Sequence, residues 1–198
     1  MKRIFILILF LLLLVFTGCG NKEKETEYGE DVNVAIEEIL DNTSFAEGLL
    51  NKYADLWSYS IESRGGISVE DAAKLLDLSE STILTYFTVD YNSSTIYSGW
   101  QSNITSLQDY FKKSNRLKRL EETSSEIKKQ IKELKDPPES YKKVYDELLE
   151  MYTLEEEYIQ MALNPSGSIV SFNEDRRQLS DDIISKHNKI EVLMPDSK

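Results

Sequence analysis

Residues 134–172 read LKDPPESYKKVYDELLEMYTLEEEYIQMALNPSGSIVSF, and this stretch decides the fold. Pro137 and Pro138 follow Asp136 directly. Proline is accepted in the first turn of a helix but not in its interior, where it lacks the N–H and clashes with the preceding turn. Asp136-Pro137-Pro138 therefore stops one helix and starts another. From there Tyr141, Val144, Tyr145, Leu148, Leu149, Tyr152, Tyr158, Ile159 and Ala162 recur on one broad helical face. Asn164-Pro165-Ser166-Gly167 ends that helix. Ser168 is placed to cap the next, and Ser171 and Glu174 have capping-box spacing. The buried side of this last helix is Ile169, Phe172, Leu179, Ile183, Ile190 and Leu193, and Pro195 closes it.

The pattern extends toward the N-terminus. Ile104, Leu107, Phe111, Leu117, Leu120, Ile127, Ile131 and Leu134 mark one long helix after Trp100, with Ser114 and Ser124 in two of its seam positions. Before it, Ile36, Leu40, Leu50, Tyr53, Trp57 and Ile61 mark a helix over roughly residues 32 to 64, with Ala46 and Ala54 on or near the same stripe. Arg64-Gly65-Gly66 ends it. The links between the last three helices are short, so those neighbours should be antiparallel. The expected fold is all-α, an antiparallel four-helix-bundle-like domain over residues 31–198, with a small helical connector, 65–100, between helices one and two. The first two helices should reach roughly 50 Å and the last two roughly 38 Å at 1.5 Å per residue. The long pair should overhang the short pair, with the connector covering the overhang.

Charge separates the helices. Residues 104–135 hold nine basic and five acidic residues, residues 139–163 hold two and seven, and residues 31–64 hold two and seven. A basic helix between two acidic ones suits an antiparallel bundle. Exposed pairs contribute only about 0–1 kcal/mol each, so the pattern selects neighbours more than it stabilises the fold.

The first eighteen residues read as a leader. Lys2 and Arg3 precede thirteen apolar residues, Ile4 to Phe16, and then small residues. Thirteen helical residues span about 20 Å, short of a hydrocarbon core of about 30 Å. Phe16-Thr17-Gly18-Cys19 resembles the lipobox cut by the lipoprotein signal peptidase of bacteria, with Phe16 where an aliphatic residue is usual. The resemblance implies that Cys19 receives a diacylglyceryl thioether and becomes the new N-terminus, on the extracytoplasmic face of the cell membrane. Two acyl chains make such an anchor stable where one does not. Cys19 is the single cysteine, so lipidation leaves no thiol for a disulfide and a packed core must hold the domain. Residues 19–30, polar and of alternating charge, should be a lipidated N-terminus and flexible tether.

Without the two basic residues of the leader, 21 basic residues face 35 acidic ones, a formal charge of −14. That balance opposes binding to nucleic acid and to anionic lipid heads. Residues 67–87 have the look of a helix-turn-helix, with Ser68 and Ser79 as caps, Ala73 at the close-packing position, and Asp77 where glycine is common. No Lys or Arg falls between Lys74 and Lys112, so a recognition helix would have nothing for phosphates. Two short connector helices are the expected reading.

Signatures of chemistry are sparse. His187 is the one histidine and reads as a surface residue, so a histidine-rich metal cluster is excluded. No nucleophile-elbow motif is present. Glu155-Glu156-Glu157 and Asp181-Asp182 do not match a calcium loop and read as solvated helix faces. Tyr141, Tyr145, Tyr152 and Tyr158 form either an aromatic binding strip or, the favoured reading, a core seam whose hydroxyls reach the surface. No catalytic residue, metal ligand or cofactor is expected.

Leu134-Lys135-Asp136-Pro137-Pro138-Glu139, Tyr141, Tyr145 to Tyr152, Leu163 to Ser168 and Ser171-Phe172 resemble a group of small helical lipoproteins of Gram-positive bacteria. The resemblance implies a helical bundle and an anchored location, and brings no activity with it. The leading expectation is a non-catalytic interaction module, held to the membrane by lipid on Cys19 and binding a cell-surface protein or cell-wall component. Its partner site should lie at the end of the bundle far from the membrane, in residues 65–100 and the Asn164–Ser168 turn. Two other readings are a small-ligand receptor or enzyme with an inter-helix pocket, and a surface blocker of phage or toxin entry.

Overall fold

Three aromatic contacts mark the two ends of the bundle. The computed structural model describes residues 2–63, 65–96 and 99–195, with side chains from residue 23 onward. The expected leader and the lipidation at Cys19 lie outside the described residues as far as side chains are concerned. Four helical segments carry the bundle. These are α1 (Lys2–Glu62), the pair α4 (Trp100–Lys113) and α5 (Arg116–Glu133), α6 (Lys142–Leu163) and α7 (Ile169–Leu193). At one end Tyr28 of α1 packs edge-on against Tyr141, with ring centroids 5.1 Å apart, and its hydroxyl donates to the Leu134 carbonyl at 2.8 Å. At the other end Trp57 of α1 stacks on Trp100 at 4.5 Å and meets Phe172 of α7 at 5.6 Å. The chain therefore runs up, down, up and down, and the fold is all-α.

α1 is the central helix. It packs against α4, α5, α6 and α7, and so buries more than one stripe: Val32, Ala35, Ile39, Leu49 and Leu56 join the positions expected from spacing. Ile61, expected on the buried stripe, is exposed, while its neighbour Ser60 is the residue of that turn that faces inward. Residues 23–30, expected as part of a flexible tether, are helical and continue α1. The physical cause is Tyr28 with its two contacts, and beside it Gly29, which is buried. A Cβ at Gly29 would meet the Tyr141 hydroxyl, so the absent side chain admits the tyrosine.

The second long helix is in fact two. α4 ends at Lys113, and Asn115 adopts φ 59° before α5 begins. Asparagine tolerates this left-handed conformation better than most residues. Lys112 and Lys113 lie in the last turn of α4, where cations oppose the helix dipole favourably. The Arg116 guanidinium covers the break, 5.3 Å from the Tyr110 ring centre. Ser114, expected in the seam, is exposed at this break, whereas Ser124 is buried.

The connector contains α2 (Val69–Leu76), α3 (Glu80–Tyr86) and three two-residue strands, β1 (Ile67–Ser68), β2 (Val89–Asp90) and β3 (Thr95–Ile96). The sheet order is β1-β3-β2, antiparallel throughout. Ser68 accepts from the Asp71 N–H at 3.0 Å and Ser79 from the Thr82 N–H at 3.1 Å, the two caps expected from sequence. Asp77 takes φ 52° at the end of α2. Gly66 (φ 89°) is needed because a Cβ there would lie 2.9 Å from the Ile96 carbonyl oxygen. The connector packs along the flank of α1 and α4: Lys52 donates to the Leu76 carbonyl, and Tyr86 meets Tyr110 at 5.2 Å. Phe172 lies three residues inside α7 and already reaches Trp57, five residues from the end of α1, so α1 extends past α7 by only about 3 Å at 1.5 Å per residue, less than the expected overhang.

Cross-helix ion pairs favour α6 and α7. Glu147 pairs with Lys186 at 2.9 Å and Lys189 at 2.7 Å, and Lys186 also holds Glu150. From the basic α5, Lys128 reaches Glu156 of α6 at 2.9 Å. Acidic α6 is thus neutralised mainly by the last helix.

Candidate functional site: a buried carboxylate under an inter-helix groove

Among the three residues Glu155-Glu156-Glu157, expected to be solvated, Glu155 is completely buried. The helical period explains it. Leu148, Tyr152, Glu155, Ile159 and Ala162 follow one another at spacings of three or four and share the inward face of α6. Glu156 and Glu157 point elsewhere, the first to Lys128 and the second to solvent.

Two neighbouring helices supply partners for the Glu155 carboxylate. Asn42 of α1 donates through Nδ2 to Oε1 at 2.6 Å, and Ser124 of α5 donates through Oγ to Oε2 at 2.9 Å. Asn42 Nδ2 also reaches the Leu120 carbonyl at 3.3 Å. Lys128 is drawn to Glu156, and among the described residues no cation forms an ion pair with Glu155. Burial pushes the Glu155 carboxyl up to about 6; the hydrogen bonds from Asn42 and Ser124 oppose that rise, and the charge of Glu156 adds to it. Desolvation of the charged form outweighs two neutral donors.

Outside this cluster, a groove of about 260 Å³ opens between α5 and α6. Ser124, Lys128, Tyr152 and Glu156 line it with Ile159 and Gln160. Ser124 belongs to both groove and cluster, so the groove floor touches the carboxylate's immediate surroundings. Burial also holds the Tyr152 phenol well above its ordinary pKa. The chemistry available is hydrogen bonding and a carboxyl whose charge changes in mildly acid solution.

The tyrosines form a core seam, but the Tyr158 hydroxyl is buried and does not reach the surface as expected. Tyr141, Tyr152 and Tyr158 are buried, and Tyr145 is half-buried with its hydroxyl 3.4 Å from the Ile131 carbonyl. His187 is partly exposed on α7 at 4.0 Å from Glu191 of the same helix. Asp182 accepts from Gln178 one turn away at 2.9 Å, and Asp181 is exposed. No group of three or more histidine, cysteine or acidic side chains among the described residues could hold a metal ion. No helix among the described residues is long and apolar enough to cross a membrane.

Asn42 is the member of the cluster that spacing alone does not single out. Glu155 and Ser124 carry a signal, because each stands on the apolar stripe of its own helix. Comparison with protein-family models, curated proteins and solved structures returns no match to this chain.

Proposed function

We propose that this chain is a lipid-anchored extracytoplasmic interaction module. A lipid on Cys19 holds it to the membrane, and the opposite end of the bundle binds a cell-surface protein or a cell-wall component without catalysis. The observation that carries the reading is the polarity of the bundle. The Tyr28–Tyr141 contact marks the end next to the N-terminal segment, and the Trp57–Trp100–Phe172 cluster marks the far end. Exposed aliphatic side chains stand near both ends, Ile61 and Val170 toward the far one and Val34 and Val192 toward the other. The exposed tyrosines among the described residues, Tyr59 and Tyr91, belong to segments at or near the far end. Tyrosine and aliphatic groups in such a setting suit protein or glycan contact better than a solvated surface does. The acidic surface keeps the module off anionic lipid.

The test is photo-crosslinking on intact cells. A photoreactive residue at position 91 or 170 should give a discrete adduct, and one at position 34 or 192, near the opposite end, should give none. Adducts of equal yield from both ends would overturn the reading.

A second reading is a small-ligand receptor. The groove beside Glu155 favours it, since it combines a concavity with converging polar groups.

A further inference from the structure

A second cleft, of about 330 Å³, lies between α1 and α7 and is lined by Ala54, Asp55, Ser58, Asn173, Arg176 and Arg177. We propose that it binds an oxyanion, a carboxylate or phosphate group, in the forks of Arg176 and Arg177. This inference is independent of the anchor and of the reading of the module's partner.

Four arginines have described side chains, and they divide into two kinds. Arg116 and Arg119 lie over aromatic rings, the latter 4.1 Å from the centre of Phe45. Arg176 and Arg177 have no such ring among the described residues. They also have no carboxylate at ion-pair distance among the described residues, although acidic residues outnumber basic ones 35 to 23. Asp55 lines the same cleft without pairing with either. In so acidic a chain, two adjacent guanidiniums without a counter-charge mark a place kept open to an external anion.

Their internal hydrogen bonds orient them without saturating them. Arg177 donates through Nε to the Asn173 backbone carbonyl at 3.1 Å, which fixes the stem and leaves its two terminal nitrogens unused. Arg176 makes one long bond, 3.4 Å from Nη2 to Asn173 Oδ1. Its Nε is buried with no acceptor among the described residues. A buried charged donor without an acceptor is costly, and an oxyanion that presents two oxygens side by side, as carboxylate and phosphate do, is the partner that a guanidinium fork matches. The Ser58 hydroxyl lines the same cleft and supplies a further donor. The volume suits a single charged group, either a small ion or one substituent of a larger molecule.

The experiment is thermal unfolding of the full chain in detergent micelles. Sodium phosphate or sodium acetate is titrated at constant ionic strength, balanced with chloride. A saturable rise in midpoint is expected with one or both anions. Response to phosphate alone assigns a phosphoryl ligand, to acetate alone a carboxylate, and to both a general oxyanion site. Arg177→Gln, at an exposed position, should weaken the apparent affinity about tenfold or more, the usual scale for losing a charge-assisted fork. Arg176→Gln should do the same, and Arg177→Gln decides the matter if that variant fails to fold. Lys118→Gln, which removes a surface cation elsewhere, should leave the response unchanged. The proposal is overturned if neither anion gives a saturable shift, or if Arg177→Gln responds like the unaltered chain.

Discussion

Ser124 on α5 donates a 2.9 Å hydrogen bond to Glu155 on α6, and the two residues occupy matching gaps in otherwise apolar stripes. Asn42 closes the same cluster from α1. Three helices are thus tied at one polar point inside the bundle. A buried group of this kind fixes which residues face one another, because any other register would leave the carboxylate without donors.

Glu155 makes stability depend on pH. Its carboxyl is raised from 4.5 to about 6 on folding. A raised acid favours the folded state while protonated, so its contribution is fully present below about pH 4.5 and is lost as pH rises through about 6. A rise of that size corresponds to about 2 kcal/mol. Urea denaturation of Glu155→Gln should show no such loss between these pH values and should match or exceed the unaltered chain at pH 7.5. An unchanged slope across this window would contradict the assignment.

Ser124→Ala removes one donor to that carboxylate. The cost should be about 1.5–3 kcal/mol at pH 7.5, where the acceptor is charged. It should shrink below pH 4.5, where the acceptor is neutral. Equal costs at the two pH values would mean that Ser124 acts through packing alone.

Part of this site is legible in the sequence. Glu155 falls three or four residues from Tyr152 and Ile159, and helical period alone puts it inward. The run Glu155-Glu156-Glu157 masks this, because three like charges in a row usually form a solvated surface. Neighbours in sequence are not neighbours on a helical face, and here only the first of the three shares the apolar stripe. Asn42 is not legible in the same way, since nothing in the spacing of α1 says which of its several buried faces meets α6. The bundle order, the proline stop at Pro137-Pro138 and the Ser68, Ser79 and Ser168 caps are legible, because each follows from local chemistry. The three short strands are not, since two residues are too few for a period.

Gly29 should resist substitution. Gly29→Ala sets a methyl against the Tyr141 hydroxyl and should cost about 1–3 kcal/mol, the usual scale of overpacking. Tyr141→Phe removes that hydroxyl, so the double variant should recover part of the loss. Thermal unfolding of the four chains in a mutant cycle measures the coupling. Strictly additive effects would mean that the two positions do not meet.

Asn115 separates α4 from α5 in a left-handed conformation. Asn115→Gly should be close to neutral, because glycine takes that conformation without penalty. Asn115→Val should cost about 1–2 kcal/mol from the clash of its branched Cβ with the backbone. Chemical denaturation compares them. Equal stability of the two variants would show that the helix break is not held at this residue.

The residue pattern at 16–19 predicts an anchor, and the bundle's polarity takes its functional meaning from that anchor. Cys19→Ala with membrane fractionation of intact cells is therefore the most direct measurement. Loss of processing at Gly18-Cys19 and a shift of the chain out of the lipid-modified membrane fraction are the predicted results. Unchanged processing and unchanged fractionation would contradict the account.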